Sequence, residues 1–288
     1  MKLVGRFGTL SLNLYFWLFV AFLFAPLVVL VIFSMNNSMT PTLPLSGFTT
    51  KWFHQAFSNG ELTGAVVRSA AIALTTAVFA TALGIMASIG LMALRGRALT
   101  FAIAALLLPL VVPYISLAVG LLILLQTFGA GPSLTAVVLG HAVITLPFAI
   151  LVLLPRLRSL DPAMNEAALD LGASAFGAFR LITLPLIVPA LVSSGIICFV
   201  TSFDEFAIAS FLAPSGQPTY PIFLYASART PALLPDVIAI GAIVIAASLL
   251  LVVIAEAGRR WAERRLVGAG AAVQSALAEA SVPLIAHR

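Results

Sequence analysis

The sequence predicts an all-α, polytopic membrane protein with six transmembrane helices, on three observations. Mean hydropathy is +1.14, with 61% hydrophobic and only 9% charged residues, whereas soluble domains carry about 25% charged residues. A chain so poor in charge cannot keep a water-facing surface, so its solvent is lipid. Charge is also missing in long blocks. No Asp, Glu, Lys or Arg falls between Arg6 and Lys51, between Arg68 and Arg95, or between Arg97 and Arg156. Finally, the basic residues gather on one predicted side of the membrane.

A bilayer core about 30 Å thick needs about 20 apolar residues per helix. The spans are therefore expected at 12–34, 68–94, 99–127, 134–155, 185–212 and 237–256. The longest charge-free gap holds two of them, with Phe128-Gly-Ala-Gly-Pro-Ser133 as the turn between. The first apolar run is too long for a signal h-region, and no small-x-small site follows it, so it reads as an uncleaved helix. Pro26, Pro109 and Pro113 fall inside spans and read as static kinks.

Placing both ends in the cytoplasm puts Lys2, Arg6, Arg95, Arg97, Arg156, Arg158, Arg180, Arg259, Arg260, Arg264, Arg265 and Arg288 inside. Only Lys51, Arg68 and Arg229 are then outside, a strong positive-inside bias. That bias accounts for the net charge of +5 without nucleic acid as a partner. The division that follows is a cytoplasmic N-terminus at 1–11, a membrane domain at 12–265 and a cytoplasmic tail at 266–288. Arg259, Arg260, Trp261, Arg264 and Arg265 form a juxtamembrane cluster suited to anionic lipid.

Two outer segments are substantial. Residues 35–67 contain Trp52, Phe53, His54 and Phe57, an amphipathic stretch for the membrane surface. Residues 213–236 carry five prolines between Pro214 and Pro235 and read as a stiff, irregular loop.

The cytoplasmic loop 156–183 is the most informative segment. Asp161 is a good N-cap and Pro162 suits a first helical turn. A short helix over 163–171 would stop at Gly172, and Ser174 can cap a second that runs to about Thr183. Pro185 then opens the fifth span. Helices this short are not stable alone in water, so they need something to pack against.

Within this loop, Glu166-Ala167-Ala168, then Gly172, then Ile182 and Leu184-Pro185, resembles the EAA loop of binding-protein-dependent (MetI-like) ABC-importer permeases. Leu139-Gly140-His141 with Leu146-Pro147-Phe148 resembles the helix preceding that loop. Ser202-Phe203-Asp204-Glu205-Phe206 is similar to the helix-5 signature of the spermidine/putrescine branch, in its second permease subunit. The family usually opens helix 2 with Asn-Ser, where this chain has Arg68-Ser69.

The resemblance implies a permease of the bacterial inner membrane whose EAA loop docks on an ATPase. Glu166, Ala167 and Gly172 would sit at that contact, Ala168 would allow close approach, and Ile182, Leu184 and Pro185 would return the chain to the membrane. The implied partners are a second, homologous permease, two ATP-binding subunits and a periplasmic solute-binding protein. No cofactor is expected on this chain, and ATP–Mg would belong to the ATPase. The residues agree: a phosphate-binding loop needs Gly-x-x-x-x-Gly-Lys-Ser/Thr, and neither Lys2 nor Lys51 follows one. The implied solute is a polyamine, with an opine, an amino-acid derivative or another amine-bearing molecule as alternatives.

Asp204 and Glu205 are the notable charges within the membrane. Ionisable groups at that depth face a cavity or a partner. Two readings stand. Both line the solute path and favour a cation, with Tyr225 as a third path candidate. Otherwise helix 5 bends early, and they meet water, Arg68 or Arg229. His141 has no carboxylate or second histidine at ligand spacing and reads as a packed helix residue. The lone Cys198 excludes an intramolecular disulfide or a multi-cysteine metal site. No nucleophile–base or metal constellation appears, so neither catalytic residues nor metal ligands are expected. The competing class is an ion-driven carrier or channel, for which Asp204 and Glu205 would bind protons or sodium; such a protein has no need of an EAA corner.

Overall fold

The computed structural model describes the backbone of residues 2–280 and the side chains of residues 11–254 and 256–258. Within these residues the chain is helical apart from turns, loops and one isolated antiparallel bridge, Asn36 to Phe48. The helices are α1 (Lys2–Ser34), α2 (Lys51–Ser58), α3 (Gly60–Ala93), α4 (Gly96–Leu107), α5 (Tyr114–Thr127), α6 (Leu134–Arg158), α7 (Pro162–Asp170), α8 (Ala175–Ala178), α9 (Leu184–Phe203), α10 (Ala207–Leu212), α11 (Tyr220–Ser227) and α12 (Leu234–Ala280). Five helical segments have the length and apolarity to cross a membrane, or six if the bent pair α4–α5 is one span. The side chains of the 259–265 basic cluster and the tail beyond Ala280 lie outside the described residues.

Several spans differ from their expected outlines. The helices of the first two spans begin earlier than expected, α1 at Lys2 and α3 at Gly60. The third is broken, not kinked: α4 ends in a 3-10 turn at Leu108–Leu110, and α5 departs at 99°. Pro109 and Pro113 lack N–H donors, and each restricts the residue before it, so the ladder cannot pass. The fifth expected span, 185–212, starts earlier and ends earlier. Helix α8 runs through a π segment, Phe179–Thr183, directly into α9. Pro185 thus sits in the first turn of α9, but inside a helical run that starts earlier. It cannot donate to the carbonyl one turn back, and the Leu184 N–H reaches five residues to Phe179 instead. At its far end α9 stops at Phe203, and α10 is separate. The sixth span extends well past 256 as α12.

The chain forms two compact units. One takes the described residues up to Ala70 together with Ser215–Leu249. Here α2 is held by Trp52, which is buried and donates from Nε1 to the Asn36 carbonyl at 2.7 Å. Asn36 Oδ1 accepts from Ser46 N–H at 2.9 Å, closing the 35–50 segment. The proline-rich segment 213–236 is not irregular throughout, because it contains α11, with Pro221 in its first turn. Arg68 donates to the Pro218 carbonyl, and Ser69 Oγ accepts from Tyr220 N–H at 2.9 Å, so the start of α11 is tied to α3. None of the apolar span of α1 is buried. A helix without a buried face meets lipid or another chain.

The second unit takes Ala71–Pro214 and the chain from Leu250. Its centre is α6, capped by Ser133, whose hydroxyl accepts from Ala136 N–H at 3.1 Å. One face of α6 packs with α3 and α9 through Ala77, Ala80, Ala149, Leu153 and Cys198. Membrane helices associate through small residues because lipid offers no hydrophobic drive between them. Gly84 shows how close the approach is: a Cβ there would sit 2.5 Å from Ala149 Cβ. At Gly140 it would meet Ile208 Cγ2 at 2.6 Å and Leu212 Cδ1 at 2.8 Å.

These contacts set an expected outcome for substitution. Gly84→Val and Gly140→Val should each cost about 1–3 kcal/mol through overpacking, read as a lower melting temperature of the detergent-solubilised protein. Gly90→Ala, where a Cβ would meet nothing within 4 Å, should leave that temperature unchanged or raise it.

Candidate functional site

The corner between α6 and α9 is built from local signals. Asp161 Oδ1 accepts from Ala163 N–H at 3.0 Å and caps α7 behind Pro162. The helix ends in a Schellman arrangement: Gly172 N–H bonds the Leu169 carbonyl at 2.9 Å, and Ala173 N–H bonds the Ala168 carbonyl at 3.0 Å. Gly172 carries φ +85°, which a side chain would strain. Ser174 Oγ then accepts from Gly177 N–H at 3.1 Å and caps α8.

Seven sequence-predicted residues occupy this corner. Glu166 and Ala167 are exposed on α7, Ala168 is half-buried beside them, and exposed Gly172 makes the turn. Ile182 lies half-buried in the π segment, and Leu184 and Pro185 begin α9. The corner also presents large apolar side chains to the outside: Leu171 is 89% exposed and Phe176 71%. Two polar contacts attach it to the spans. Thr183 Oγ1 donates to Asn165 Oδ1 at 3.2 Å, and Arg156 donates from Nη2 to the Leu186 carbonyl at 2.9 Å. Behind α7 is a cavity of about 390 Å³, lined by Met92, Leu157, Asn165, Glu166, Leu169 and Thr183 among others.

The second locus is the break after α9. Asp204 and Glu205 are neighbours in sequence but have opposite environments. Asp204 is exposed, and its carboxylate has no hydrogen-bond or ion-pair partner among the described residues. Glu205 is 6% exposed. Its Oε2 accepts from Ile208 N–H at 2.9 Å and from Ala209 N–H at 3.0 Å, so it caps α10. A continuous helix would have given those N–H groups to the carbonyls of residues 204 and 205.

His141 faces the same carboxylate. Its Nε2 lies 3.2 Å from Glu205 Oε2, an ion-pair distance without the alignment of a hydrogen bond. Its Nδ1 lies 2.8 Å from Ser202 Oγ. His141 and Ser202 are 1% and 2% exposed. In a neutral ring with the proton on Nε2, Nδ1 accepts from the serine hydroxyl. The expectation that His141 has no carboxylate partner is thus corrected. Its partner is far along the chain, on the other side of α9, beyond any spacing rule for one helix. The signal was present in another form: the 139–148 and 202–206 stretches each resembled a family motif, and here they are one contact.

Arg68 serves the Pro218 carbonyl. Arg229 donates to Tyr225 Oη at 3.0 Å, with its guanidinium 5.1 Å from the ring centroid. Tyr225 belongs to the other unit and is exposed. Arg68, Glu61, Pro218 and Phe223 line a polar cavity of about 470 Å³.

Comparison with known proteins places this architecture. Residues 80–268 match the model of the family described as the binding-protein-dependent transport system inner membrane component. The spermidine/putrescine transport system permease protein PotC of Escherichia coli K12 is 31% identical over 233 residues, 81% of this chain and 88% of that protein. The putrescine transport system permease protein PotI of the same strain is 34% identical over 218 residues, 72% of this chain and 76% of PotI. The putative 2-aminoethylphosphonate transport system permease protein PhnV of Salmonella choleraesuis is 27% identical over 249 residues, 85% of this chain and 92% of that protein. Among solved structures, a chain of a bacterial ABC transporter that imports alginate superposes with TM-score 0.67 at 17% identity, covering 89% of this chain and 95% of that one. A chain of the MetNI methionine ABC transporter gives 0.59 at 17% identity, with 70% and 96% covered. The helical fold, the spans and these matches agree: the chain belongs to the family of binding-protein-dependent transport system inner membrane components.

Proposed function

We propose that this chain is one membrane subunit of an ABC importer that carries polyamines across the bacterial inner membrane, with both its termini in the cytoplasm. A second, homologous permease subunit completes the pore, two ATPase subunits bind ATP–Mg below it, and a periplasmic protein delivers the solute. The observation that carries this reading is the corner at Gly172. A water-facing loop does not keep Leu171 and Phe176 bare beside an acidic Glu166 unless another protein covers them. The cap at Asp161 and the Schellman turn set the angle of α7, so the docking face is preformed. The polyamine assignment is supported by the PotC and PotI relatives and by Asp204. An unpartnered carboxylate at the end of a membrane helix suits a cationic solute. PhnV and Arg68 favour a second solute class, an amine that also bears an acidic group, since Arg68 lines a polar cavity where the family usually has Asn.

Reconstitution with an ATPase, a sister permease and a binding protein tests this. Labelled putrescine or spermidine should accumulate in proteoliposomes only with ATP. Uptake by this chain alone without ATP would instead establish an ion-driven carrier, and competition by a zwitterionic amine but not by putrescine would select the second class. Glu166→Lys should cut ATPase capture by at least about tenfold. Gly172→Ala should also weaken it, by about five- to thirtyfold, because a side chain at φ +85° costs about 1–2 kcal/mol. In the polyamine system, Asp204→Asn should lower uptake at normal expression, and unchanged uptake would remove that residue from the path.

A further inference from the structure

The packing of α6 on α9 has a regular geometry. Arg156 meets Leu186, Thr145 meets Cys198 (Sγ to carbonyl, 3.5 Å), and His141 meets Ser202. As one number falls the other rises, so the helices run antiparallel over about 22 Å of axis. One end of this pair carries the coupling corner, through Arg156 and Thr183. The other end carries the break at Asp204.

What holds that break is a closed polar set. Ser202 is in the last turn of α9, His141 is on α6, and Glu205 caps α10. Each side chain is buried, and together they join three helices at one point. Gly140, next to His141, lets Ile208 and Leu212 of α10 pack directly on the α6 backbone. Glu205 is therefore already committed to two backbone N–H groups and a histidine, and its carboxylate is turned inward. Asp204, one residue away, is turned outward by the same turn.

We propose that His141, Ser202 and Glu205 are positioning residues of the transport path: their buried junction stops α9 at Phe203 and thereby sets where the Asp204 carboxylate projects. Glu205 does not meet the solute. When the junction is broken, Ile208 and Ala209 N–H return to helical partners, α9 propagates into α10, and residue 204 rotates away. The role of Asp204 in meeting an amine rests on the polyamine reading above, whereas the geometry of the lock does not.

Two measurements on the assembled transporter separate these. The first introduces Asp204→Cys and follows its labelling by a water-soluble maleimide; Cys198 is buried and does not compete. Adding His141→Ala should change the labelling rate more than about threefold, and a rate within that limit would overturn the lock. His141→Gln keeps an amide oxygen for Ser202 and an amide nitrogen for Glu205, so it should restore most of the rate. The second measures uptake kinetics with Asp204 intact. His141→Ala and Glu205→Gln should each raise KM for putrescine about tenfold with a smaller change in the maximal rate. The double variant should be no worse than either single one, because both break the same junction. Additive effects, or a KM equal to that of the unmodified chain, would overturn the proposal. The amount of assembled complex on size exclusion controls for folding, and Glu205→Gln, which preserves volume, replaces the alanine variant if that one does not assemble. If the unmodified chain takes up no polyamine, the substrate reading falls, and the labelling rate still decides the lock.

Discussion

Within a bilayer there is no water to receive a freed backbone N–H or C=O, so every place where a helix stops must bring its own partner. That constraint accounts for several polar side chains in this protein. Glu205 supplies the partner at the start of α10, and between α6 and α9 Asp161 and Ser174 cap α7 and α8. Arg68 supplies a donor to the Pro218 carbonyl before α11, and Ser69 an acceptor to Tyr220 N–H. At Pro185 no side chain is used: the helix widens by one residue per turn and finds another carbonyl.

The second constraint is close packing without a hydrophobic drive. Helix α6 approaches α3 at Gly84 and α10 at Gly140 more closely than any side chain there would permit. Ala77, Ala80 and Ala149 line the α3–α6–α9 interface together with Leu153 and Cys198. Small residues trade side-chain burial for backbone proximity, and proximity is what lets a histidine on one helix reach a glutamate beyond the end of another. At Gly140 the two features meet, since the close approach of α10 to α6 lies beside His141.

A pair of helices joined at both ends is well suited to carry motion. A displacement of α7 would pull on Asn165 and Thr183, and through Arg156 and Leu186 it would reach α6 and α9 together. Antiparallel neighbours bonded along their length move as one body. The π segment between α8 and α9 is the natural place for the remaining freedom, because wide turns often mark sites where a helix adapts.

Several features were legible from the residues alone because their physics is local. Hydropathy and charge gaps located the spans, since each needs only its own length of apolar chain. The corner at Asp161, Gly172 and Ser174 was readable because capping and a positive φ involve residues within a few positions of one another. The EAA spacing was readable for the same reason. Only the tertiary structure decided how far each helix runs and which carboxylate is free. Two prolines could have kinked the third span, and they broke it. Asp204 and Glu205 are chemically near-equivalent neighbours, and no local rule separates them. Their difference comes from His141 and two N–H groups of α10, brought together by helices that pack through glycine. Sequence determines what depends on distance along the chain; distance through space settled which acid was buried and which was left facing out.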